Sequence, residues 1–225
     1  MALQPIELWG HWGAPNPWKV VLILEELKLP YIIKTLEFTE VKSEEYVKLN
    51  PNGRLPTIVD PNTGITLWES GAIIGYLIDQ YDKAGHISFH TAPEKYLTRQ
   101  WLAFQISGQG PYYGQAIWFA RFHPEKISSA IDRYVNEVVR VIGVLDDALN
   151  RGGTGWLVGD KCTYADLAFV TWAHLGYGLL KQLNKLDQIE KYEKYAAWIK
   201  SLESRETVKK VLDSIAKGRA EHGLP

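Results

Sequence analysis

The clearest fold signals in this 225-residue chain lie in residues 50–72, NPNGRLPTIVDPNTGITLWESGA. Two short apolar runs, Leu55–Val59 and Ile65–Trp68, flank the turn sequence DPNTG, and this pattern predicts an antiparallel β-hairpin. A proline cannot donate an N–H to a sheet, so Pro56 belongs at the start of its strand or in a cis turn. The second strand leads directly into a helix predicted over residues 70–81.

The two ends of this stretch carry features that could bind a peptide-like ligand. A cis bond before Pro56 would leave the N–H and C=O of Leu55 free to pair with an extended peptide, although a plain loop proline is the alternative. Ser70 opens a helix, and a helix N-terminus attracts a carboxylate, while the neighbouring Glu69 could meet an ammonium. A capped helix with a solvated glutamate is the alternative there. Together the two features favour a ligand with an amino-acid headgroup.

The pattern around the hairpin divides the chain into two predicted domains. Strand and helix signals alternate as βαβαββα over residues 1–83, and only helical signals follow over residues 93–225. The first long helix, residues 94–122, must be disturbed where GQGP occupies residues 108–111. Thr163 followed by an aspartate three positions later predicts a capping box. The fold class is therefore a small α/β domain joined to an all-α domain.

Composition excludes several function classes. The chain has 25 Lys and Arg against 26 Asp and Glu, a net charge of −1, whereas nucleic-acid-binding proteins usually carry a basic stripe. The single cysteine, Cys162, excludes an intrachain disulfide, a Cys–Cys redox pair and a multi-cysteine metal site, and the six histidines show no metal-ligand spacing. No apolar run approaches the ~20 residues of a membrane span, and the N-terminus lacks a signal-peptide pattern. We therefore expect a cytoplasmic protein without a metal, a nucleic-acid partner or a membrane partner.

The loop between the first strand and the first helix, residues 10–17, contains a candidate thiolate ligand. Asn16 before Pro17 predicts a helix N-cap, and its amide N–H could also bond a thiolate. Lowering a thiol pKa of ~8.5 by two units takes about 2.7 kcal/mol, which one amide donor and a helix dipole can supply. No Tyr, Ser or Cys precedes Asn16 in this loop. The thiol must therefore come with the ligand.

Five stretches in this order resemble the cytosolic glutathione transferases, and the resemblance covers nearly the whole chain. They are residues 14–20, 50–56, 68–73, 101–115 and 156–167. The chain is similar in particular to the fungal class that includes the yeast nitrogen-regulator prion protein, and also to the bacterial nu class. The resemblance implies a thioredoxin-like N-terminal domain that binds glutathione and a helical domain that forms the co-substrate site.

The resemblance also implies roles for individual residues. Asn16 would stabilise the glutathione thiolate, and Leu55 would pair with the cysteinyl backbone. Glu69 and Ser70 would hold the γ-glutamyl end.

A basic side chain would meet the glycyl carboxylate of glutathione, and Lys42, with Arg54 nearby, is the candidate. Arg133 matches an arginine that touches glutathione in the bacterial relatives, although a solvated helix arginine is the alternative. The co-substrate pocket would be lined by aromatic residues with two basic residues at its edge: Trp12, Tyr112, Tyr113, Trp118, Phe119, Arg121 and His123.

The expected activity is glutathione thiolate chemistry without a metal. Glutathione would be conjugated to a small hydrophobic electrophile in detoxification, or would reduce a peroxide or a disulfide. The resemblance further implies a homodimer. The alternative is a non-catalytic regulator or ligand-binding protein on the same scaffold, as the prion relative illustrates. That relative has a long Asn-rich extension before its transferase-like part, whereas the first strand here begins at Ile6, and this difference favours the enzyme.

Overall fold

The computed structural model of the protein describes residues 2–224. Contacts within the chain divide it into two compact units. The first unit contains the residues up to Ser88 together with those from Arg205 onward, and the second contains Phe89–Ser204. The domain limits 1–83 and 93–225 stay a sequence-based prediction; by contacts, the last helix belongs with the first unit.

The first unit contains a four-stranded mixed sheet with helices against it. Its elements follow the predicted βαβαββα order, with one more helix contributed by the end of the chain: β1 (Ile6–Gly10), α1 (Pro15–Glu26), β2 (Tyr31–Thr35), α2 (Glu44–Leu49), β3 (Thr57–Asp60), β4 (Ile65–Trp68), α3 (Ser70–Tyr81) and α10 (Glu206–Glu221). The strand order is β2-β1-β3-β4, with β1 parallel to β2 and β3 antiparallel to both of its neighbours. The predicted hairpin and the thioredoxin-like topology are confirmed.

The register of the sheet brings three loops to one end. Thr57, the first residue of β3, pairs with Trp9 of β1 on one side and with Trp68 of β4 on the other. The end of β1, the start of β3 and the end of β4 therefore lie at the same end of the sheet. The loop after β1, the Leu55–Pro56 bond and the Glu69–Ser70 junction all lie there.

Helix α1 is the centre of the first unit's core. Eight consecutive residues, Pro17–Leu24, are buried, because α1 packs against both α3 and α10. A helix buried on all sides shows little amphipathic pattern, so neither its depth nor its partners can be inferred from its own sequence. Arg205, which precedes α10, forms an ion pair with Glu26 at the end of α1, with Nη2 2.7 Å from Oε2.

The second unit is helical throughout. Its α-helices are α4 (Glu94–Phe104), α5 (Gly110–Ile117), α6 (Ser128–Gly152), α7 (Tyr164–Ala168), α8 (Val170–Gln182) and α9 (Glu193–Glu203). The predicted disturbance of the first long helix is confirmed: a π-helical turn, Gln105–Gln109, separates α4 from α5. A second π-helical turn, Trp118–Phe122, was not predicted. Proline and glycine explain the first turn, since Pro111 cannot donate to a preceding carbonyl.

The predicted capping box at the start of α7 is present and forms part of a larger buried network. Asp166 Oδ2 accepts hydrogen bonds from the N–H (2.9 Å) and the Oγ1 (2.7 Å) of Thr163. Its Oδ1 accepts from the N–H of Leu157 and from Trp198 Nε1, each at 3.0 Å. Cys162, directly before the box, is buried. This carboxylate therefore ties α7 to α9 and to the loop before it.

Within residues 2–224, no helix combines the length and the apolar character that crossing a bilayer requires. In the same residues, no group of three or more His, Cys, Asp and Glu side chains is placed to hold a metal ion.

Candidate functional site

The loop after β1 is held in one shape by His11. The His11 ring is 3 % exposed and its Nδ1 accepts a hydrogen bond from the N–H of Gly13 at 2.9 Å. Its Nε2 lies 3.5 Å from Glu37 Oε2, so the ring proton belongs on Nε2. The His11 carbonyl accepts from Ala14 N–H and from Trp18 Nε1. The loop therefore enters α1 in a fixed orientation.

The structure corrects the predicted start of α1. Asn16 is not the N-cap: the helix begins at Pro15, and the cap is Ala14, whose side chain makes no capping hydrogen bond. Asn16 is the second helical residue and is half-buried. Because the prolines on either side of it carry no N–H, Asn16 is the residue that supplies a backbone donor in this part of the first turn. Its amide therefore still lies at the positive end of the α1 dipole, and its role toward a thiolate stays a prediction.

Trp12 is held by the end of the chain. Its ring stacks on Trp18 with centroids 4.7 Å apart and lies 6.1 Å from the ring of His222. A Cβ at Gly218 of α10 would lie 2.1 Å from Trp12 Cδ2, so this glycine is required for the approach. One face of Trp12 is therefore packed against α10, and the ring remains half-buried.

The Leu55–Pro56 peptide bond is cis, which is one of the alternatives that the sequence left open. Among residues 2–224, neither the N–H nor the C=O of Leu55 makes a hydrogen bond, and Leu55 is half-buried at the edge where β3 begins. The preceding carbonyl, of Arg54, is fixed by donors from Tyr46 Oη (2.8 Å) and Asn50 Nδ2 (2.7 Å). The main chain of Leu55 therefore presents one donor and one acceptor on a rigid support.

The predicted basic residues lie beside this bond. Lys42 Nζ donates to the carbonyl of Asn52 at 2.7 Å, and it lies next to Gly53, whose φ is +57°. A Cβ at Gly53 would come within 2.9 Å of Lys42 Nζ. The Arg54 side chain is exposed. The structure thus brings the Lys42 side chain, from the turn before α2, against the loop that carries Arg54 directly before Leu55.

The junction between β4 and α3 is strained and uncapped. Glu69 has φ +68° and ψ +112°, a conformation that costs a non-glycine residue about 1–3 kcal/mol and that recurs at ligand clamps. It stands at the N-cap position of α3 without a side-chain cap bond. Its exposed carboxylate meets Asn52 Nδ2 at 3.5 Å.

Ser70, the first residue of α3, completes this junction. Ser70 is 5 % exposed, and in the part of the chain that the structure describes its hydroxyl has no hydrogen-bond partner. The Ser70 hydroxyl also remains accessible. Among the described residues, Thr171 Oγ1 is the one side-chain polar atom that is both fully buried and without a hydrogen-bond partner, so the Ser70 oxygen is not fully buried. The first turn of α3 therefore offers a hydroxyl and free N–H donors to an anion.

Lys19 is a charged group of this region to which sequence reasoning assigned no role. It is 1 % exposed on α1, and burial lowers its pKa from 10.5 to about 7, while the negative charge of Glu69 opposes that fall. A buried side chain that exists as an ammonium or as a neutral amine is thus close enough to Glu69 to feel its charge. The one feature of the sequence that could have indicated this burial is the position of Lys19 inside the apolar run of α1. A lysine in such a run usually extends its ammonium to solvent, so the position alone did not predict a buried lysine.

The predicted co-substrate residues Tyr112, Tyr113, Trp118 and Phe119 belong to the second unit and differ in accessibility. Tyr113 is 1 % exposed, whereas Trp118 is 49 % exposed. The Tyr112 ring faces the Arg140 guanidinium at 5.9 Å. Phe119 stacks on Tyr134 and on His123, with ring centroids 5.6 and 5.2 Å apart. Phe119, His123 and Tyr134 therefore form one stacked group, Trp118 lies instead against Phe122 with ring centroids 6.1 Å apart, and Tyr113 belongs to the core.

The predicted arginines of this unit have partners of their own. Arg121 Nε donates to Gln182 Oε1 at 2.8 Å. Arg133 Nη1 forms an ion pair with Glu137 Oε1 at 2.8 Å on the same helix, α6. A function of Arg133 toward glutathione stays a prediction.

The fold and the site can be compared with known proteins. The family model of the glutathione S-transferase N-terminal domain matches residues 4–79, and that of the C-terminal domain matches residues 115–214. The glutathione S-transferase-like protein gedE of Aspergillus terreus is 49 % identical over 220 residues, covering 95 % of this chain and 96 % of the relative. The chain therefore belongs to the glutathione S-transferase family.

Two further relatives indicate the type of transferase. Glutathione S-transferase 2 of Schizosaccharomyces pombe is 44 % identical, with 96 % of this chain and 98 % of the relative covered. The crystal structure of glutathione transferase URE2P6 from Phanerochaete chrysosporium, in complex with oxidized glutathione, superposes with a TM-score of 0.89 at 46 % identity, covering 96 % of this chain and 98 % of that one. The chain is thus similar to fungal URE2-type glutathione transferases.

Proposed function

We propose that this protein is a glutathione transferase that binds glutathione at the sheet edge of the first unit and presents it as a thiolate to a second substrate. The proposal rests on three groups at that end of the sheet that have no hydrogen-bond partner among residues 2–224. They are the Leu55 main chain, the Ser70 hydroxyl and the first N–H groups of α3. These groups match a γ-glutamyl peptide, which carries a carboxylate, an ammonium and an extended backbone.

Each part of glutathione has a complementary group. The α-carboxylate of the γ-glutamyl residue suits the Ser70 hydroxyl and the N-terminus of α3. The adjacent ammonium suits the exposed Glu69 carboxylate, and the cysteinyl backbone suits the N–H and C=O of Leu55. Lys42, which is exposed beside Asn52, suits the glycyl carboxylate.

The thiolate is stabilised by Asn16 and the α1 N-terminus in this proposal. An amide donor and the positive end of a helix dipole favour the charged form of a bound thiol, whose free pKa is ~8.5. Lowering that value by two units requires about 2.7 kcal/mol, which is within reach of one charge-assisted hydrogen bond with a helix dipole.

Two reactions are open to such a thiolate. In conjugation the sulfur attacks an electrophilic carbon of a small hydrophobic substrate and a leaving group departs. In reduction the sulfur attacks one atom of the S–S bond of a disulfide or the O–O bond of a peroxide, and the other half leaves as a thiolate or an alkoxide. A second glutathione then attacks the resulting mixed disulfide or sulfenic acid, which forms oxidized glutathione and releases the second thiol or water. The single cysteine, Cys162, is buried, so the reactive sulfur comes from glutathione in either case.

Turnover of two substrates by one preparation tests the proposal. We expect glutathione-dependent conjugation of an aryl halide, reduction of a model disulfide, or both, with Ser70→Ala raising the KM for glutathione in each. A protein that binds glutathione but turns over no member of an electrophile, peroxide and disulfide panel would instead act as a regulator or ligand-binding protein. Homodimer formation and a cytoplasmic location belong to the same proposal.

A further inference from the structure

Three hydrogen bonds of the loop after β1 converge on His11. Its ring nitrogen Nδ1 accepts from the N–H of Gly13 at 2.9 Å. Its carbonyl accepts from the N–H of Ala14 at 3.0 Å and from Trp18 Nε1 at 3.1 Å. A Cβ at Gly13 would lie 3.2 Å from the same Nδ1, so the ring and the main chain of the loop are in close contact. One residue therefore sets the path of the chain from β1 into α1.

The start of α1 has little of its own to hold it in place. An N-cap side chain normally accepts a hydrogen bond from the N–H of the second or third helical residue. Here the N-cap residue is Ala14, whose side chain makes no such bond, and Pro15 and Pro17 have no N–H. The orientation of this first turn, and of Asn16 within it, therefore depends on the loop that His11 holds.

The segment that follows β2 encloses the His11 ring. The ring is 3 % exposed, and the Phe38 ring lies against it with centroids 4.0 Å apart, although Phe38 itself is 57 % exposed. Glu37 Oε2 lies 3.5 Å from Nε2, which places the ring proton on Nε2 and leaves Nδ1 as an acceptor for Gly13. Because little water reaches the ring, the bond from Gly13 to Nδ1 is stronger than a bond in an open loop.

We propose that His11 is a positioning residue of the glutathione site: by holding Gly13, its Nδ1 atom orients the start of α1 and points the Asn16 amide at the bound sulfur. This inference rests on the proposed function, because it concerns the same thiolate. His11 acts through the loop and takes no part in the transfer itself. Loss of the Nδ1 acceptor therefore weakens the stabilisation of the thiolate. It leaves the groups proposed for the rest of glutathione, such as Leu55 and Ser70, in place.

Three substitutions separate the Nδ1 acceptor from the rest of the ring. His11→Phe keeps an aromatic ring beside Phe38 and has neither nitrogen. His11→Asn places an amide oxygen where Nδ1 stands, since both atoms are bonded to Cγ, and this oxygen accepts from Gly13. His11→Gln places its amide one bond further out, near Nε2, so it keeps the contact with Glu37 and loses the bond from Gly13. His11→Asn is thus the conservative rescue of the proposed role.

The first readout is the pKa of the bound glutathione thiol, measured by ultraviolet difference spectra of the whole protein with saturating glutathione. We expect this pKa to rise by about half a unit or more in His11→Phe and His11→Gln and to stay within about 0.2 units in His11→Asn. At pH 5.5, where the thiolate is scarce, kcat for an aryl halide should fall by about twofold or more in the first two variants. The KM for glutathione should stay within about twofold, because glutathione binds mainly as the thiol at this pH.

The second readout needs no glutathione. Amide hydrogen exchange at Gly13, followed by NMR, should be faster in His11→Phe and His11→Gln than in the unmodified protein and in His11→Asn. His86→Phe is the matched control, because His86 is an exposed histidine of the same unit, away from this loop. It should change neither the exchange at Gly13 nor the pKa of the bound thiol.

The outcomes separate this inference from the proposed function. The inference is overturned if His11→Phe and His11→Gln leave the thiol pKa of the unmodified protein unchanged, or if His11→Asn raises it as much as they do. If His11→Phe does not fold, the comparison of His11→Asn with His11→Gln decides, because both are polar and uncharged. A thiol that titrates like free glutathione on the unmodified protein would overturn the proposed function as well.

Discussion

Lys19 makes the stability of this protein depend on pH in a predictable way. The side chain is 1 % exposed, and its pKa falls from 10.5 to about 7 chiefly because burial disfavours the ammonium. Between these two pH values the unfolded chain holds the proton and the folded chain has released it. Since the unfolded state binds more protons in this window, the free energy of unfolding rises with pH from about 7 to about 10.5.

The size of the effect follows from the two pKa values. Below pH 7, Lys19 is protonated in both the folded and the unfolded chain. Burial of the ammonium then lowers the free energy of unfolding by about 5 kcal/mol compared with high pH, where the lysine is neutral in both states. Most of this penalty is still present at pH 7. It shrinks by about 2 kcal/mol between pH 7 and pH 9 and vanishes above pH 10.5.

Lys19→Met isolates this term, because methionine keeps an unbranched apolar stem and removes the titrating group. Urea unfolding, followed by tryptophan fluorescence at pH 7, 8 and 9, gives the difference in unfolding free energy between variant and unmodified protein, in which the other titrating groups cancel. We expect the stability of the variant relative to the unmodified protein to fall by about 2 kcal/mol from pH 7 to pH 9. Lys209→Met, at an exposed lysine of α10, should show no such trend. A Lys19→Met difference that is constant across this range would refute the buried-lysine explanation.

Three further substitutions test the site and its support. Ser70→Ala should raise the KM for glutathione by about three- to tenfold with kcat unchanged, because the hydroxyl binds substrate and transition state equally; steady-state kinetics would contradict this if kcat alone fell. Glu69→Gln should raise the same KM and, by removing the charge that opposes burial, lower the folded-state pKa of Lys19, so that the lower limit of its pH window moves below pH 7 while the upper limit stays near 10.5; a urea series extended below pH 7 would show or refute this. Asp166→Asn should lower the free energy of unfolding by about 2–4 kcal/mol, because its amide nitrogen cannot accept the hydrogen bonds that a carboxylate oxygen accepts. An unfolding midpoint unchanged from that of the unmodified protein would disprove the role of Asp166.

The parts of the fold that the sequence predicted are those marked by local chemistry. Proline, glycine and asparagine delimit the β3–β4 hairpin, so its strands could be predicted from neighbouring residues, whereas the same residues left the cis bond before Pro56 as one of two alternatives. The capping box at Thr163 and Asp166 is likewise a local pattern. These features depend on few residues close together in the chain.

The parts that the sequence did not predict depend on distant contacts. Asn16 reads as an N-cap, yet α1 begins at Pro15, because His11 fixes the incoming loop through Ala14 and Trp18. The packing of α10 against α1 joins segments at opposite ends of the chain. The burial of Lys19 follows from that packing and from α3. No periodicity within α1 reveals these partners.

The pKa of the bound glutathione thiol shows whether the Asn16 amide and the start of α1 stabilise a thiolate. Ultraviolet difference spectra of the protein with saturating glutathione, recorded across pH, report the thiolate. We predict a bound-thiol pKa about two units below the free value of ~8.5, and a rise of about one unit or more in Asn16→Ala. A bound thiol that titrates like free glutathione, or one whose pKa is the same with and without the Asn16 amide, would contradict the account.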